Sequence, residues 1–279
     1  VLFMPGANAR ALQKARDLPA DALILDLEDA VAPDAKAHAR EQVVVAVRGR
    51  GYGRREVVVR VNGPATPWGR ADLEAVAGSG ADAVLLPKVE SAETVRDALD
   101  VLAAAGAPET LTAWCMLETP RGVLQAPVIA TASPRVAALV MGTSDLTKDL
   151  HARHTADRAP LLTSLGLCVL AARAAGVAAL DGVHLDLEDD AGFAAVCRQA
   201  RDLGFDGKTL IHPRTIATAN AVFAPAPADV EWARRVIAAH AGAVADGRGV
   251  VVLDGRLIES LHVEDAHRVV ALAEAIAGR

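Results

Sequence analysis

Val136-Ala137-Ala138-Leu139-Val140-Met141-Gly142-Thr143-Ser144-Asp145-Leu146 is an apolar run that stops abruptly at a small, flexible turn carrying one acid. Its counterpart is Thr112-Ala113-Trp114-Cys115-Met116-Leu117-Glu118, apolar again and ending on an acid again. Short continuous apolar runs of this kind read as strands covered on both faces, the condition of a parallel sheet. A buried carboxylate without a partner costs several kcal/mol, so two of them at two such strand ends need a common reason. A metal ion supplies one.

Working outward, the same unit recurs along the chain. Strands are predicted at Leu2–Pro5, Ala22–Leu27, Val57–Val61, Ala83–Pro87, Leu111–Leu117, Val136–Met141, Ala178–Leu185 and Thr209–His212, with helical patterns between them. Asp34 after Pro33 opens one helix and Ser91 caps another. Thr119 followed by Pro120 is an N-cap with proline at the first helical position, and Gly106, Gly176 and Gly204 stand where helices should stop. Eight βα units predict a TIM (β/α)8 barrel, whose chemistry sits at the C-terminal strand ends. Polar residues collect there: Glu28 and Asp29, Arg60 and Asn62, Lys88 and Glu90, Glu118, Asp145, His184 and Asp186, His212. A doubly wound open sheet would bring a glycine-rich phosphate turn after the first strand, and Pro5-Gly6-Ala7-Asn8 is not that fingerprint.

After Phe223 the pattern changes. Pro225-Ala226-Pro227 reads as a stiff linker, Asp229–Ala241 as a helix, Asp254-Gly255 as a hairpin turn and Val263–Ala277 as a last amphipathic helix. Residues 1–224 are therefore expected to form the barrel, and residues 225–279 a helix-hairpin-helix extension serving as a lid or subunit contact.

Composition narrows the function. Hydrophobic residues reach 52% with only 3% aromatics, so the core is built from Ala, Val, Leu and Ile. A net charge of -6 gives no general attraction to nucleic acid or anionic membrane, and an anionic substrate would need a local positive site. Cys115, Cys168 and Cys197 lie far apart in apolar segments and read as reduced core residues of a cytoplasmic protein. Leu165–Leu180 is broken by Arg173 and Gly176, which argues against a membrane span, and no signal peptide is visible.

Strands that neighbour each other lie roughly 4.8 Å apart, so one cation could touch both Glu118 and Asp145. Oxygen donors without Cys or paired His suit Mg²⁺; the alternative is that each acid pairs with an arginine such as Arg60 or Arg121. Arg60, inside Glu56-Val57-Val58-Val59-Arg60-Val61-Asn62, has the fork to clamp a substrate carboxylate, or to pair with Glu28 or Asp29. Gly142-Thr143-Ser144 could offer backbone N–H groups to an anion, or be an ordinary turn. Asp26 and Glu28 point the same way on their strand, with Asp29 opposite or in the loop. Lys88 either neutralises an anion or pairs with Glu90 or Glu118. His184 and His212 read as hydrogen-bonded structural groups before catalysts. No nucleophile elbow, P-loop or dinucleotide fingerprint occurs.

Leu2-Phe3-Met4-Pro5-Gly6, Leu25-Asp26-Leu27-Glu28-Asp29-Ala30-Val31, Arg60-Val61-Asn62, Leu86-Pro87-Lys88-Val89-Glu90, Leu117-Glu118-Thr119-Pro120-Arg121-Gly122 and Gly142-Thr143-Ser144-Asp145-Leu146 follow one another in a familiar order. Asp181-Gly182-Val183-His184, Gly204-Phe205-Asp206-Gly207-Lys208 and Ile211-His212-Pro213 continue it. In these motifs the chain resembles the citrate lyase beta-subunit-like branch of the HpcH/HpaI aldolase superfamily. The resemblance implies a TIM barrel that binds Mg²⁺ and acts as a carbon–carbon lyase. Its substrate would be a 3-hydroxyacyl thioester of citryl, malyl or citramalyl type, on CoA or an acyl carrier protein, and its products acetyl thioester and a small oxo acid. It implies Glu118 and Asp145 as metal ligands, Arg60 on the oxo-acid carboxylate, Gly142 to Asp145 as backbone contacts, and Glu28 and Asp29 supporting metal-bound water. The acid/base of relatives is an aspartate from a neighbouring subunit; here Glu259 stands at that position, in an expected homotrimer. The rivals are an oxo-acid aldolase that needs no thioester, and a non-catalytic CoA- or oxo-acid-binding protein.

Overall fold

The computed structural model describes residues 1–278, which divide into two compact units, Val1–Ala219 and a second beginning at Asn220. The first unit carries eight parallel strands: β1 (Leu2–Pro5), β2 (Ala22–Asp26), β3 (Glu56–Arg60), β4 (Ala83–Leu86), β5 (Thr112–Leu117), β6 (Val136–Met141), β7 (Ala178–Asp181) and β8 (Gly207–Lys208). Each pairs with the next in sequence order. Between them run α1 (Ala9–Lys14), α2 (Lys36–Arg48), α3 (Gly69–Ala77), α4 (Ala92–Ala104), α5 (Pro120–Leu124), α6 (Ala126–Ala130), α7 (Thr143–Asp149), α8 (Leu162–Ala175) and α9 (Asp190–Leu203). Just beyond β8, Leu210 bridges Leu2: Phe3 N–H donates to the Leu210 carbonyl and Leu210 N–H to the Val1 carbonyl, both at 2.8 Å. The last strand thus returns to the first, an α/β arrangement consistent with a TIM-like barrel.

Why the sheet curls follows from what its inner face holds. Ala22, Ile24, Val58, Ala83, Leu85, Trp114, Met116, Ala138, Val140 and Leu180 form one buried cluster, taken from alternate positions of successive strands. Leu23, Leu25, Val57, Val59, Val84, Leu86, Cys115 and Leu139, the intervening residues, are buried on the other face. Strands buried on both sides need the aliphatic composition seen in the sequence. The predicted caps form as expected: the hydroxyls of Ser91 and Thr119 accept the N–H groups of Thr94 and Gly122, and Gly176 and Gly204 end their helices in the left-handed region.

Two strands, β7 and β8, differ from the sequence reading by more than one residue at an end. β7 ends at Asp181 instead of Leu185, because β8 offers it only two pairing residues and Gly182 then leads the chain out toward the barrel mouth. β8 begins at Gly207, in a segment that reads as a turn, while Ile211 and His212 leave the sheet for a 3₁₀ turn opened by Pro213.

The second unit holds α11 (Pro227–Ala245), a hairpin of β9 (Val251–Leu253) and β10 (Arg256–Ile258), and α12 (Ser260–Ala277); α10 (Ile216–Phe223) runs across the division. Asp254 and Gly255 both take positive φ, as a tight two-residue hairpin turn requires. Its small core joins Ala233, Val236, Ile258 and Ala266.

Candidate active site

The period of two along each strand carries the site. Following the buried inner face of β2 from Ala22 through Ile24, the next residue is Asp26; following β3 from Val58, it is Arg60. β5 runs Trp114, Met116, Glu118, and β6 runs Ala138, Val140, Gly142. One more layer of the apolar interior is therefore built from two acids, an arginine and a glycine.

Asp26 and Arg60 are direct partners in the β2–β3 register. Arg60 Nε donates to Asp26 Oδ1 at 2.7 Å and Nη2 to Oδ2 at 2.6 Å, a bidentate pair. The same carboxylate accepts the N–H groups of Glu28 and Ala30, which folds the loop after β2 around it. Arg60 Nη1 stands 2.9 Å from Glu28 Oε2, off the line of a hydrogen bond, and 3.6 Å from Asp29 Oδ2. Its guanidinium also lies 4.8 Å from the centre of the Phe3 ring. Burial alone would lower its pKa, but the bonds and charge of Asp26, with Glu28 and Asp29, raise it above the ordinary arginine value. Arg60 thus does pair with acids, as the alternative reading held. Two of its five N–H groups are committed to Asp26.

Glu118 is 2% exposed. Its Oε1 accepts the Lys88 N–H at 2.7 Å, an approach made possible because Lys88 adopts φ +50. Burial pushes the Glu118 carboxyl up to about 7, against the pull of Lys88. Gly142 is dictated by this neighbour: a Cβ there would lie 2.3 Å from Glu118 Cβ and 2.6 Å from Oε2. Asp145 is half-buried in the first turn of α7, which begins directly after β6. Thr143 is buried and Ser144 half-buried in the same turn.

Glu118 and Asp145 both line a cavity of about 500 Å³, together with Asp26, Asp29, Arg60 and the turn Gly142-Thr143-Ser144. Its remaining walls include Phe3, Met116, Met141, Val183 and Leu185. Among the described residues no group of three or more His, Cys, Asp or Glu side chains could hold a metal. Two carboxylates, one with its pKa raised by burial, are a donor set that fits a hard cation completing its shell with water and substrate oxygens; thiolate or imidazole sites for zinc need more.

Lys88 and Glu28 do not line this cavity. The Lys88 ammonium instead donates to Glu28 Oε1 at 2.6 Å, and burial raises the Glu28 pKa against the opposing charge of Arg60 and Lys88. Two buried polar groups behind them escaped the sequence reading. Lys36 Nζ donates to the carbonyls of Leu27 and Glu28, at 2.9 and 2.7 Å. Asp72 accepts from Asn62 Nδ2 at 2.6 Å and Arg40 Nε at 2.6 Å, while Asn62 also donates to the Leu27 carbonyl. Together they fix the loop that carries Glu28 and Asp29. A lysine in the first turn of an amphipathic helix looks like surface in sequence, so only the polar residues of the loop signalled this support.

Glu259 belongs to the second unit, where its carboxylate caps α12 and its own N–H donates to His262 Nδ1 at 3.1 Å. His212 is exposed and accepts the Arg214 N–H, as a structural histidine. His184 packs edge-on against Phe193, and burial lowers its pKa. All three cysteines are free and buried. No helix among the described residues is long and apolar enough to cross a membrane.

The family model for HpcH/HpaI aldolase/citrate lyase matches residues 1–213. A (3S)-malyl-CoA thioesterase of Cereibacter sphaeroides is 51% identical, over 99% of this chain and 95% of that protein. The citrate lyase subunit beta of Escherichia coli is 38% identical, over 98% and 92%. Among solved structures, CitE from Mycobacterium tuberculosis in complex with magnesium, acetoacetate and coenzyme A is 33% identical with a TM-score of 0.79, covering 98% of this chain and 97% of that one.

Proposed function

Because the chain belongs to the HpcH/HpaI aldolase/citrate lyase family, we propose that it is a Mg²⁺-dependent enzyme acting on the CoA thioester of a short hydroxy acid of malyl type. The observation that carries this reading is Glu118, a buried carboxylate with a raised pKa that shares one cavity with Asp145 and Arg60. Glu118 and Asp145 would hold the ion. Mg²⁺ would supply a Lewis acid that polarises a substrate oxygen. Arg60, held rigid by Asp26, turns the N–H groups it does not give to Asp26 to the substrate carboxylate, and the turn offers the backbone N–H groups of Thr143 and Ser144 beside it, that of Gly142 being given to the Leu117 carbonyl. Asp29, at the cavity wall and 59% exposed in its side chain, is placed to orient water.

The bond we assign is the thioester: water adds to the carbonyl, the C–S bond breaks, and malate and free CoA leave. The 51% identity to a malyl-CoA thioesterase over nearly the whole chain supports this choice. A second reading keeps the carbon–carbon lyase expected from the sequence, supported by the citrate lyase subunit beta relative. There a base takes the hydroxyl proton, the C–C electrons pass to the acetyl thioester enolate, and an acid protonates its carbon; Glu259 is the proposed acid/base. A cytoplasmic homotrimer belongs to the same proposal.

Incubating the protein with (3S)-malyl-CoA and Mg²⁺ separates these readings by their products. Hydrolysis releases free thiol and malate in equal amounts with no oxo acid; lyase action gives acetyl-CoA and glyoxylate with no free thiol; EDTA stops either. Cleavage of a free hydroxy-oxo acid with neither thioester reaction would refute both and leave the oxo-acid aldolase.

A further inference from the structure

A second cavity, of about 380 Å³, adjoins the first, with Thr143, Val183 and Leu185 lining both. Its lining includes Arg158, the outermost member of a buried charge cluster that the proposed chemistry does not use. Arg158 Nη1 lies 2.8 Å from each oxygen of Asp181, and Lys208 Nζ donates to Asp181 Oδ2 at 2.7 Å and to the Gly182 carbonyl. Asp181 and the Lys208 side chain are 0% exposed, and Arg158 is nine-tenths buried. Two cations therefore share one carboxylate, and among the described residues no second carboxylate contacts either.

Two residues of this cavity's lining, Arg158 and His184, each have one donor left over. Arg158 Nε is satisfied by Gln199 at 2.7 Å, but Nη2 is buried without a hydrogen-bond partner. His184 Nε2 is buried without one as well, its nearest acid oxygen being Asp189 Oδ2 at 4.0 Å. Arg158 sits at φ +53, so the backbone holds a non-glycine residue in the left-handed region to place this guanidinium. The two acids of the lining are engaged elsewhere: Asp186 Oδ1 accepts the Glu188 N–H and Asp189 Oδ1 the Gly192 N–H. Leu161, Val183, Leu185 and Val196 are the apolar part of a lining that also carries Thr143, Arg153, His154 and Thr155.

We propose that this cavity binds a small organic monoanion, a carboxylate on an aliphatic body of a few carbons, with Arg158 Nη2 and His184 Nε2–H as its donors. The size is that of a small-molecule pocket. A guanidinium edge suits a carboxylate, and one extra negative charge is what the cluster lacks, whereas a phosphate dianion would overshoot it. Burial pulls the pKa values of Lys208 and His184 down, and a bound anion would favour the charged form of each. This inference does not rest on the reaction assigned above.

Isothermal titration of the full chain with sodium butyrate, and with sodium phosphate as the rival probe, tests it. Arg158→Gln removes the donor but also breaks the pair with Asp181. Ala156→Trp, at an exposed position of the same lining, fills the cavity without touching that pair. Butyrate is expected to bind at one site, to weaken by about tenfold or more in Ala156→Trp, equivalent to about 1.4 kcal/mol, and to be unaffected by Asp145→Asn, which alters only the adjoining cavity. Absence of butyrate binding, unchanged affinity in Ala156→Trp, loss in Asp145→Asn, or tighter binding of phosphate than of butyrate would each overturn the proposal.

Discussion

Replacing Glu118 by Gln removes a charge from a buried site while nearly keeping its shape, and the amide oxygen can still accept the Lys88 N–H. Burial raises the wild-type carboxyl from 4.5 to about 7, whereas in the unfolded chain it titrates at its ordinary value. Between those two values the folded protein holds a proton that the unfolded chain has released, so folding stability falls as pH rises through this window. At about 1.4 kcal/mol per pH unit the full effect is about 3 kcal/mol, most of it developing between pH 5 and pH 8. Glu28, whose charge adds to the rise at Glu118, is relieved by the same substitution and shifts the balance in the same direction. The assay is urea unfolding of both proteins in EDTA at pH 5 and pH 8, since differences between the two pH values cancel any pH-independent cost of the amide. Wild type is expected to lose about 2–3 kcal/mol relative to Glu118→Gln on going from pH 5 to pH 8. Saturating Mg²⁺ at pH 8 should then stabilise wild type and leave the variant unchanged. Parallel profiles, or a variant that loses more than wild type, would show that burial does not govern this carboxyl.

Two further substitutions probe the geometry. Gly142→Ala puts a Cβ against Glu118 and must displace it, so we expect a stability loss of about 1–3 kcal/mol and Mg²⁺ binding weaker by about tenfold or more, read from the Mg²⁺ dependence of the thermal midpoint. In the neighbouring cluster, Asp181→Asn strands two buried cations and should cost about 3–5 kcal/mol, while Lys208→Met removes only the surplus charge and should cost distinctly less; equal losses in denaturant unfolding would refute the shared-carboxylate account.

The polar layer at the strand ends was legible because a strand has a period of two and the aliphatic run on each strand is long enough to show where it is broken. Arg60 after three valines and Glu118 after Met116 announce themselves this way, while Asp145 shows as the first acid past the end of its run, in the first turn of α7. What the period does not contain is register. That Asp26, and not Glu28 or Asp29, takes the fork of Arg60 follows from their being direct partners across β2 and β3. Lys88 reaches back sixty residues to Glu28, a pairing set by strand order and loop course. The strand around Lys208 was misplaced for a related reason: Gly207-Lys208 has little strand propensity, and its pairing with Leu180 and Asp181 of β7 recruits it.

Charge balance separates the two cavities more sharply than their shapes do. Around the first, the carboxylates of Asp26, Glu28, Asp29, Glu118 and Asp145 face Arg60, Lys88 and Lys36. The acids exceed the bases by two when all are ionised; the raised pKa of Glu118 comes first from burial, with the charge of Glu28 adding to it. A divalent cation between Glu118 and Asp145 would offset the excess. Around the second, Arg153, Arg158 and Lys208 stand against Asp181, Asp186 and Asp189, so the surplus is confined to the buried cluster, where Arg158 and Lys208 exceed Asp181 by one. Adjoining spaces that share Thr143, Val183 and Leu185 thus differ in where charge is left over: at the carboxylates of the first, and at the Arg158 end of the buried cluster beside the second.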